Sequence, residues 1–96
     1  MKGPARTTTI DVLTASVGKE IGTSEWFLID QPTIDAFAKL TQDEYFIHVD
    51  PAAAAATQFN GTIAHGFLSL SMLSVMAYQA CPAVEGSKTQ VNYGFN

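Results

Sequence analysis

The feature that most constrains this chain is a continuous stretch of apolar and small residues from His65 to Gln79. These side chains leave no polar face at the 3.6-residue helical period, so the pattern predicts one helix that is buried on all sides. Pro82 and Gly86 follow it, and residues of these types commonly end a helix. A helix of this kind has to be covered by other structure.

Only two segments are typical of strands that could cover such a helix. Ser24–Ile29 is rich in aromatic and branched side chains, and Ser87–Phe95 alternates polar with apolar residues. A two-stranded sheet is marginally stable and cannot surround a helix. We therefore expect either that the chain is a fragment of a longer protein or that another copy supplies the missing sheet.

A second helix is predicted from about Asp30 to Thr41. Asp30 can accept the first free amide N–H groups, and Pro32 is tolerated in the first helical turn. The apolar residues that follow recur at the spacing of one buried helix face. This period breaks after Thr41, so we expect Asp43 at or just after the end of the helix.

Two shorter helices and a turn are predicted on either side of that segment. Residues 10–18 favour a helix that ends near Gly18. Asp50, followed by Pro51 and an alanine run, favours a helix that ends near Thr57. The Phe-Asn-Gly sequence at residues 59–61 indicates a turn.

Composition and charge exclude several classes of protein. The chain has 96 residues and a formal net charge of −4, and its five Lys and Arg residues are scattered, so no cationic face for nucleic acid is expected. The apolar stretch is shorter than the roughly 20 residues that span a bilayer, and no secretion signal is recognisable. We expect a single domain over residues 1–96, soluble in the cytoplasm, with Cys81 as a small buried group.

Acid/base chemistry is suggested by Asp43 and His48, which lie five residues apart. Ile63–Gly66 then opens the apolar helix, whose first backbone N–H groups have no partner within the helix. Together these groups could add water to a carbonyl-activated substrate or remove it. Taken alone, Asp43 is most simply a solvated helix-terminal carboxylate, and a lone histidine such as His48 is more often an ordinary hydrogen-bonded residue than a catalytic one. Two histidines and one cysteine at these spacings predict no metal site.

The segment FIHVDPAAAAATQFNGTIAHGF, residues 46–67, resembles the MaoC-like, (R)-specific enoyl-CoA hydratase family of the hot-dog superfamily, in particular its nodulation-N-like branch. The resemblance implies an α+β hot-dog fold in which an antiparallel sheet wraps around a long central helix, here His65–Gln79. It also implies dimerisation, and it implies that the C-terminal strands of the sheet are missing from this chain.

The resemblance assigns roles to individual residues. Asp43 and His48 match the catalytic acid/base pair, and Gly66 matches the glycine whose N–H polarises the thioester carbonyl. Substrate binding is implied for Ser74 and for three residues around the catalytic pair, namely Phe46, His65 and Phe67. The residue pattern favours a structural role for His65, bonding the loop that delivers Gly66. The two phenylalanines are core by default, though either could line an acyl tunnel. Other hydratases often carry Asn-Pro where this chain has Tyr45-Phe46.

The function expected from this resemblance is that of a lyase of fatty acid metabolism. The reaction would be (R)-specific hydration of trans-2-enoyl-CoA, or the reverse dehydration. No bound cofactor is expected, because the thioester of CoA or of an acyl carrier protein is the substrate. A homo-oligomer is expected, with no nucleic acid or membrane partner. Two alternatives stay open: an acyl-CoA thioesterase on the same fold, and a non-catalytic acyl-binding or assembly module.

Overall fold

The computed structural model describes residues 6–94. The chain divides into two compact units, one formed by Met1–Trp26 with Leu73–Asn96 and the other by Phe27–Met72. The elements in chain order are β1 (Thr7–Thr8), α1 (Ile10–Ala15), α2 (Gln31–Thr41), α3 (Phe46–Val49), α4 (Pro51–Ala55), α5 (Gly66–Ser71), α6 (Leu73–Ala80) and β2 (Ala83–Val84).

Helix α2 begins and ends where its sequence dictates. The Asp30 carboxylate accepts hydrogen bonds from the Thr33 amide and the Thr33 hydroxyl, which satisfies a helix N-terminal donor. The helix ends at Gln42, whose left-handed backbone (φ 63°) turns the chain away. Ile34 and Ala38 lie one turn apart and are both buried, so this face of α2 forms part of the core of its unit.

Asp50 joins α3 to α4 and stabilises both. Its backbone N–H donates to the Phe46 carbonyl at the end of α3, and its carboxylate accepts from the Ala53 amide at the start of α4. Because one residue serves both helices, α3 and α4 meet at a fixed corner. The predicted helix start at Asp50 is confirmed, and so is the turn beyond α4, where Asn60 adopts φ 57°.

The core of the unit Phe27–Met72 is small and contains two imidazoles. Its buried apolar residues come from α2, α4 and α5, and they are Ile34, Ala38, Ala54 and Leu68. His48 and His65 are buried among the same helices. Burying two polar rings in a core of this size is costly unless both are hydrogen-bonded, so their partners decide whether the arrangement is stable.

The other unit contains α1, α6 and the two short strands. Thr9 caps α1 by accepting from the Val12 amide, which confirms a helix within residues 10–18. Strands β1 and β2 pair in parallel, with Thr7 opposite Ala83. A Cβ at Gly22 would overlap the Ala80 carbonyl oxygen, so close backbone approach requires glycine at position 22.

The predicted helix His65–Gln79 is interrupted, and it is not buried on all sides. It consists of α5 and α6 with Met72 between them. Phe67 is 75% exposed, and Leu73 is also exposed. Burial of a helix depends on what covers it, and nothing within residues 6–94 covers these side chains. Cys81, which we expected to be buried, is exposed for the same reason.

Both predicted strands are wrong where the structure describes them. Ser24–Ile29 forms no strand; the Glu25 amide donates to the Gln79 side chain instead of to a neighbouring strand. Residues 87–94 also form none, and residue 95 lies outside the described part of the chain. Across residues 6–94 the only sheet is the parallel β1–β2 pair, so the antiparallel sheet expected around the helix stays a prediction.

No helix in residues 6–94 is long and apolar enough to cross a membrane.

The acid sensitivity of α2 provides a test of its cap. The hydrogen bond from the Thr33 hydroxyl, followed by that from the Thr33 amide, lowers the pKa of Asp30 below its ordinary value of 3.8. The folded state therefore gains stability from ionised Asp30 above that pH and loses it as the pH falls through the lowered pKa. We expect D30A to lower the urea midpoint at pH 7. D30N keeps a capping oxygen but cannot titrate. We therefore expect the urea midpoint of D30N to fall less than that of the wild type when the pH is lowered below about 4, because the contribution from protonation of Asp30 is absent. Equal midpoints for all three proteins at both pH values would contradict this cap.

Candidate functional site

Asp43 lies in the short loop that connects α2 to α3. The left-handed turn at Gln42 directs the chain out of α2, so the Asp43 side chain is exposed to solvent. Its backbone carbonyl accepts a hydrogen bond of 2.9 Å from Nε2 of His65. The carboxylate is thus accessible to a substrate or to water, while the backbone of Asp43 is held by the hydrogen bond from His65.

His48 is held by hydrogen bonds through both its ring and its backbone. It lies in α3 and is 8% exposed. Its ring nitrogen Nδ1 donates to the Ile63 carbonyl over 2.8 Å, and its own carbonyl accepts from Nε2 of Gln31 over 2.7 Å. Because a carbonyl can only accept, the Nδ1 contact assigns a proton to Nδ1 and leaves the Nε2 lone pair of the neutral ring for other chemistry.

His65 is the most deeply buried polar residue described, with 2% of its surface exposed. Its ring stacks on the His48 ring, with centroids 3.8 Å apart and an interplanar angle of 20°. The edge of Phe37 packs against it at 5.0 Å. Nε2 donates to the Asp43 carbonyl, while Nδ1 is buried without a hydrogen-bond partner among the described residues.

The side chains of Asp43, His48 and His65 converge. One carboxylate oxygen and one nitrogen from each ring lie within 4.8 Å of one another. A water molecule that makes hydrogen bonds of about 2.8 Å can bridge two groups at such a separation. The sequence separated these residues by up to 22 positions, and the fold brings them to one place.

The same three residues are the candidate metal ligands within residues 6–94. A metal ion bound by imidazole lies close to the ring plane, at about 2.0–2.1 Å from the nitrogen. Two nearly parallel rings stacked at 3.8 Å cannot both meet that condition for one ion. Joint coordination would require one ring to rotate, which would break its hydrogen bond to a backbone carbonyl.

Gly66 is the first residue of α5 and is exposed. Its backbone N–H has no acceptor within the helix, because the first N–H groups of a helix precede any carbonyl partner. A Cβ at this position would meet no other atom within 4 Å. An open depression of about 420 Å³ lies against Gly66, Phe67 and Leu70, so an apolar ligand has room beside this amide.

The remaining predicted substrate-binding residues have different surroundings. Phe46 is partly exposed and packs edge-on against Tyr45, with ring centroids 4.9 Å apart. Phe67 lines the depression beside Gly66. Ser74 lies in α6, in the unit that also contains α1, and its hydroxyl accepts from the Asn92 side chain over 2.8 Å. Its predicted role stays a prediction.

Gln31 was missed by sequence reasoning. Its Nε2 donates to the His48 carbonyl and to the Asp35 carboxylate, and its Oε1 accepts from the Thr62 hydroxyl over 2.6 Å. One amide therefore joins the start of α2 to α3 and to the loop before α5. No sequence pattern marks this role, because a glutamine at the first position of a helix is ordinary.

Residues 12–95 match the MaoC-like domain family, which is more than half of the chain. The chain belongs to the MaoC-like domain family. The family predicted from the segment Phe46–Phe67 is therefore confirmed. Membership implies the hot-dog fold.

Three relatives illustrate what this MaoC-like chain is similar to. Nodulation protein N of Rhizobium meliloti (strain 1021) is 52% identical over 81 residues, covering 83% of this chain and 50% of that protein. The 3-hydroxyacyl-thioester dehydratase Z of Mycobacterium tuberculosis (strain ATCC 25618 / H37Rv) is 44% identical over 84 residues, covering 88% and 55%. The (R)-specific enoyl-CoA hydratase of Aeromonas caviae is 37% identical over 68 residues, covering 71% and 45%. The chain spans about half the length of the curated relatives it matches.

Replacing Gln31 tests the hydrogen-bond bridge beneath the site. Q31M keeps the length of the side chain but removes its donors and acceptor, which leaves the His48 carbonyl and the Thr62 hydroxyl without this partner. We expect the free energy of unfolding, measured by urea denaturation, to fall by about 1–3 kcal/mol. The control Q58M changes an exposed glutamine in the turn after α4 and should alter it by less than about 0.5 kcal/mol. An equal effect of the two changes would mean that the bridge contributes nothing.

Proposed function

We propose that this chain supplies the catalytic acid/base pair and oxyanion donor of an acyl-thioester hydratase or dehydratase. The substrate is a trans-2-enoyl thioester, hydrated with (R) specificity. The observation that carries the proposal is the convergence of the Asp43 carboxylate with the His48 imidazole, next to a segment that ends in the exposed Gly66 amide. The names of two relatives, a 3-hydroxyacyl-thioester dehydratase and an (R)-specific enoyl-CoA hydratase, support the same reaction class.

The first step is activation of water. Water is a weak nucleophile at neutral pH and needs a base within hydrogen-bond reach, about 2.6–3.2 Å. Asp43 and His48 hold one water molecule between them, His48 orienting it and Asp43 taking a proton from it. The water oxygen forms a bond to Cβ of the enoyl group. The π electrons of the Cα–Cβ double bond move toward Cα, and the thioester oxygen acquires the negative charge of an enolate.

The enolate oxygen requires a donor that is already in place. The Gly66 N–H serves, because it is unpaired at the start of α5 and no side chain stands in front of it. Loss of one preorganised donor of this kind typically lowers the rate by about 10²–10³-fold. The enolate then takes a proton at Cα from the acid/base pair, so the proton removed from water ends on carbon and no net proton is gained or lost.

The acyl group has a candidate place beside this donor. The depression lined by Gly66, Phe67 and Leu70 is mostly apolar and open to solvent. An acyl chain in it removes apolar surface from water, at roughly 0.8 kcal/mol for each buried CH₂. The thioester end then faces Gly66. The carrier is CoA or an acyl carrier protein, and no separate cofactor takes part.

The experiment is incubation of the 96-residue chain with crotonyl-CoA. Hydration removes the enoyl absorbance without releasing thiol, whereas a thioesterase releases free CoA thiol. We expect D43N and H48Q each to lower the hydration rate by roughly 10²–10⁴-fold. The control E44Q neutralises the neighbouring exposed carboxylate and should leave the rate unchanged.

Three results would count against the proposal. Thiol release without loss of the enoyl group would indicate thioester hydrolysis instead. Wild-type rates in D43N or H48Q would remove the proposed role of that residue. Crotonyl-CoA binding without turnover by the folded chain would favour a non-catalytic acyl-binding module.

We also propose that the protein is a homo-oligomer. In a hot-dog fold a sheet covers the central helix, and a second copy could supply strands of that sheet. Phe67, Leu73 and Trp26 are large apolar side chains that are each exposed, and each is a candidate for contact with a second copy. Light scattering after size exclusion should give a mass above that of one chain. L73E should lower that mass, because it introduces a charge on exposed apolar surface, whereas S69E, which adds the same charge at an exposed polar position, should not. A stable monomer at all protein concentrations would contradict the proposed homo-oligomer.

A further inference from the structure

His65 is the one buried ring at the site for which the proposed reaction has no direct use. His65 is 2% exposed, its Nε2 is engaged by the Asp43 carbonyl, and its unpartnered Nδ1 is buried. The substrate-binding role predicted for it stays a prediction. Its three contacts nevertheless reach every group that the proposed reaction needs.

The first contact fixes the backbone of the base. The His65 Nε2–H donates to the carbonyl of Asp43 itself, not to its carboxylate. The loop after α2 has no helical hydrogen bonds of its own at this point, because Gln42 has already turned the chain out of α2. The bond from His65 thus determines where the Asp43 Cα lies, and the carboxylate is carried with it.

The second contact fixes the plane of the His48 ring. The His65 ring covers one face of His48 at 3.8 Å. Two residues earlier, the Ile63 carbonyl accepts the His48 Nδ1 proton, and the Ile63 amide donates to the Ile47 carbonyl. The stack prevents rotation of the ring, and the hydrogen bond sets its tautomer. Both restraints come from the same short segment, Ile63–Gly66.

The third link is covalent. His65 occupies the N-cap position of α5 without a side-chain capping bond, and the next residue is Gly66, whose amide is the proposed oxyanion donor. A displacement of His65 would consequently move that amide relative to Asp43 and His48. Reacting groups need to be held within fractions of an ångström, and a misplacement of about 1 Å can cost on the order of 10²-fold in rate.

The buried Nδ1 of His65 has no partner, which is a cost that needs an explanation. A phenylalanine would provide the flat face without an unsatisfied acceptor, and a glutamine would provide the donor without the ring. Of these three side chains, only histidine provides both an aromatic face for His48 and an N–H for Asp43. The cost of the unsatisfied Nδ1 is explained if the stack on His48 and the hydrogen bond to the Asp43 carbonyl are both needed.

We propose that His65 is a positioning residue that keeps Asp43, His48 and the Gly66 amide in the relative positions that the reaction needs. The inference rests on the proposed hydratase function, and it states how that site is kept assembled. His65 contacts neither water nor substrate in this mechanism. It acts through the two residues that do.

Two variants separate the two contacts of His65. H65F keeps an aromatic face against His48 but cannot donate to the Asp43 carbonyl. H65Q keeps an amide donor at nearly the position of Nε2 but removes the ring. The control S71A changes an exposed hydroxyl of α5, which bonds only the Phe67 carbonyl in the described structure. Urea denaturation of each protein identifies any variant that does not fold.

The kinetic measurement is kcat and KM for crotonyl-CoA hydration. We expect H65F to lower kcat about 10–100-fold with little change in KM, because alignment is lost while substrate contacts persist. H65Q should also lower kcat, and S71A should match the wild type. A folded H65F with wild-type kcat would overturn the positioning role. If H65F does not fold, H65Q decides, and wild-type kcat in H65Q would overturn it equally.

The spectroscopic measurement does not depend on turnover. The ¹⁵N shifts of His48 distinguish a ring protonated at Nδ1 from a mixture of tautomers. We expect a single Nδ1–H form in the wild type and in S71A. We expect a mixture in H65Q, because without the stack the His48 ring can rotate away from the Ile63 carbonyl that sets its tautomer. An unchanged His48 spectrum in H65Q would contradict positioning through the stack. If the wild type does not hydrate crotonyl-CoA, the proposed function fails for that substrate, and these spectra still decide the role of His65.

Discussion

The hydrogen bond from His48 Nδ1 to the Ile63 carbonyl is the interaction on which the rest of the site depends. It joins α3 to the segment that leads into α5, across a span of 15 residues. Without it, a buried imidazole would lie in a core formed chiefly by Ile34, Ala38 and Leu68 with an unsatisfied donor. With it, the ring has one tautomer, and its second nitrogen is available for chemistry.

Two imidazoles inside so small a core need an energetic reason. Each gives one N–H to a backbone carbonyl, and the two rings cover one another's faces. The carbonyls of Ile63 and Asp43 lie outside helices, so they too gain partners that secondary structure does not give them. The site is therefore part of the packing of this unit. The segment Ile63–Gly66 serves stability and the proposed chemistry through the same contacts.

The confirmed predictions depended on signals within a few residues. Asp30 and Asp50 cap the helices that follow them, since a carboxylate and the amides it accepts are close in sequence. The predictions that failed concern structure that needs distant partners. Ser24–Ile29 has strand-forming residues, yet a strand exists only beside another strand, and this backbone meets the Gln79 side chain instead. The burial expected for the helix after His65 likewise depends on a covering layer.

The amino-acid sequence by itself determined the starts of α2 and α4, the family and the residues able to carry acid/base chemistry, because each of these depends on local spacing and residue type. Tertiary structure alone decided that Asp43, His48 and His65 lie within 4.8 Å, and that Gln31 bridges α2 to α3. The physical reason is that these contacts join residues up to 22 positions apart through backbone carbonyls. Every residue has a backbone carbonyl, so the sequence does not indicate which carbonyl will accept a hydrogen bond from a distant side chain.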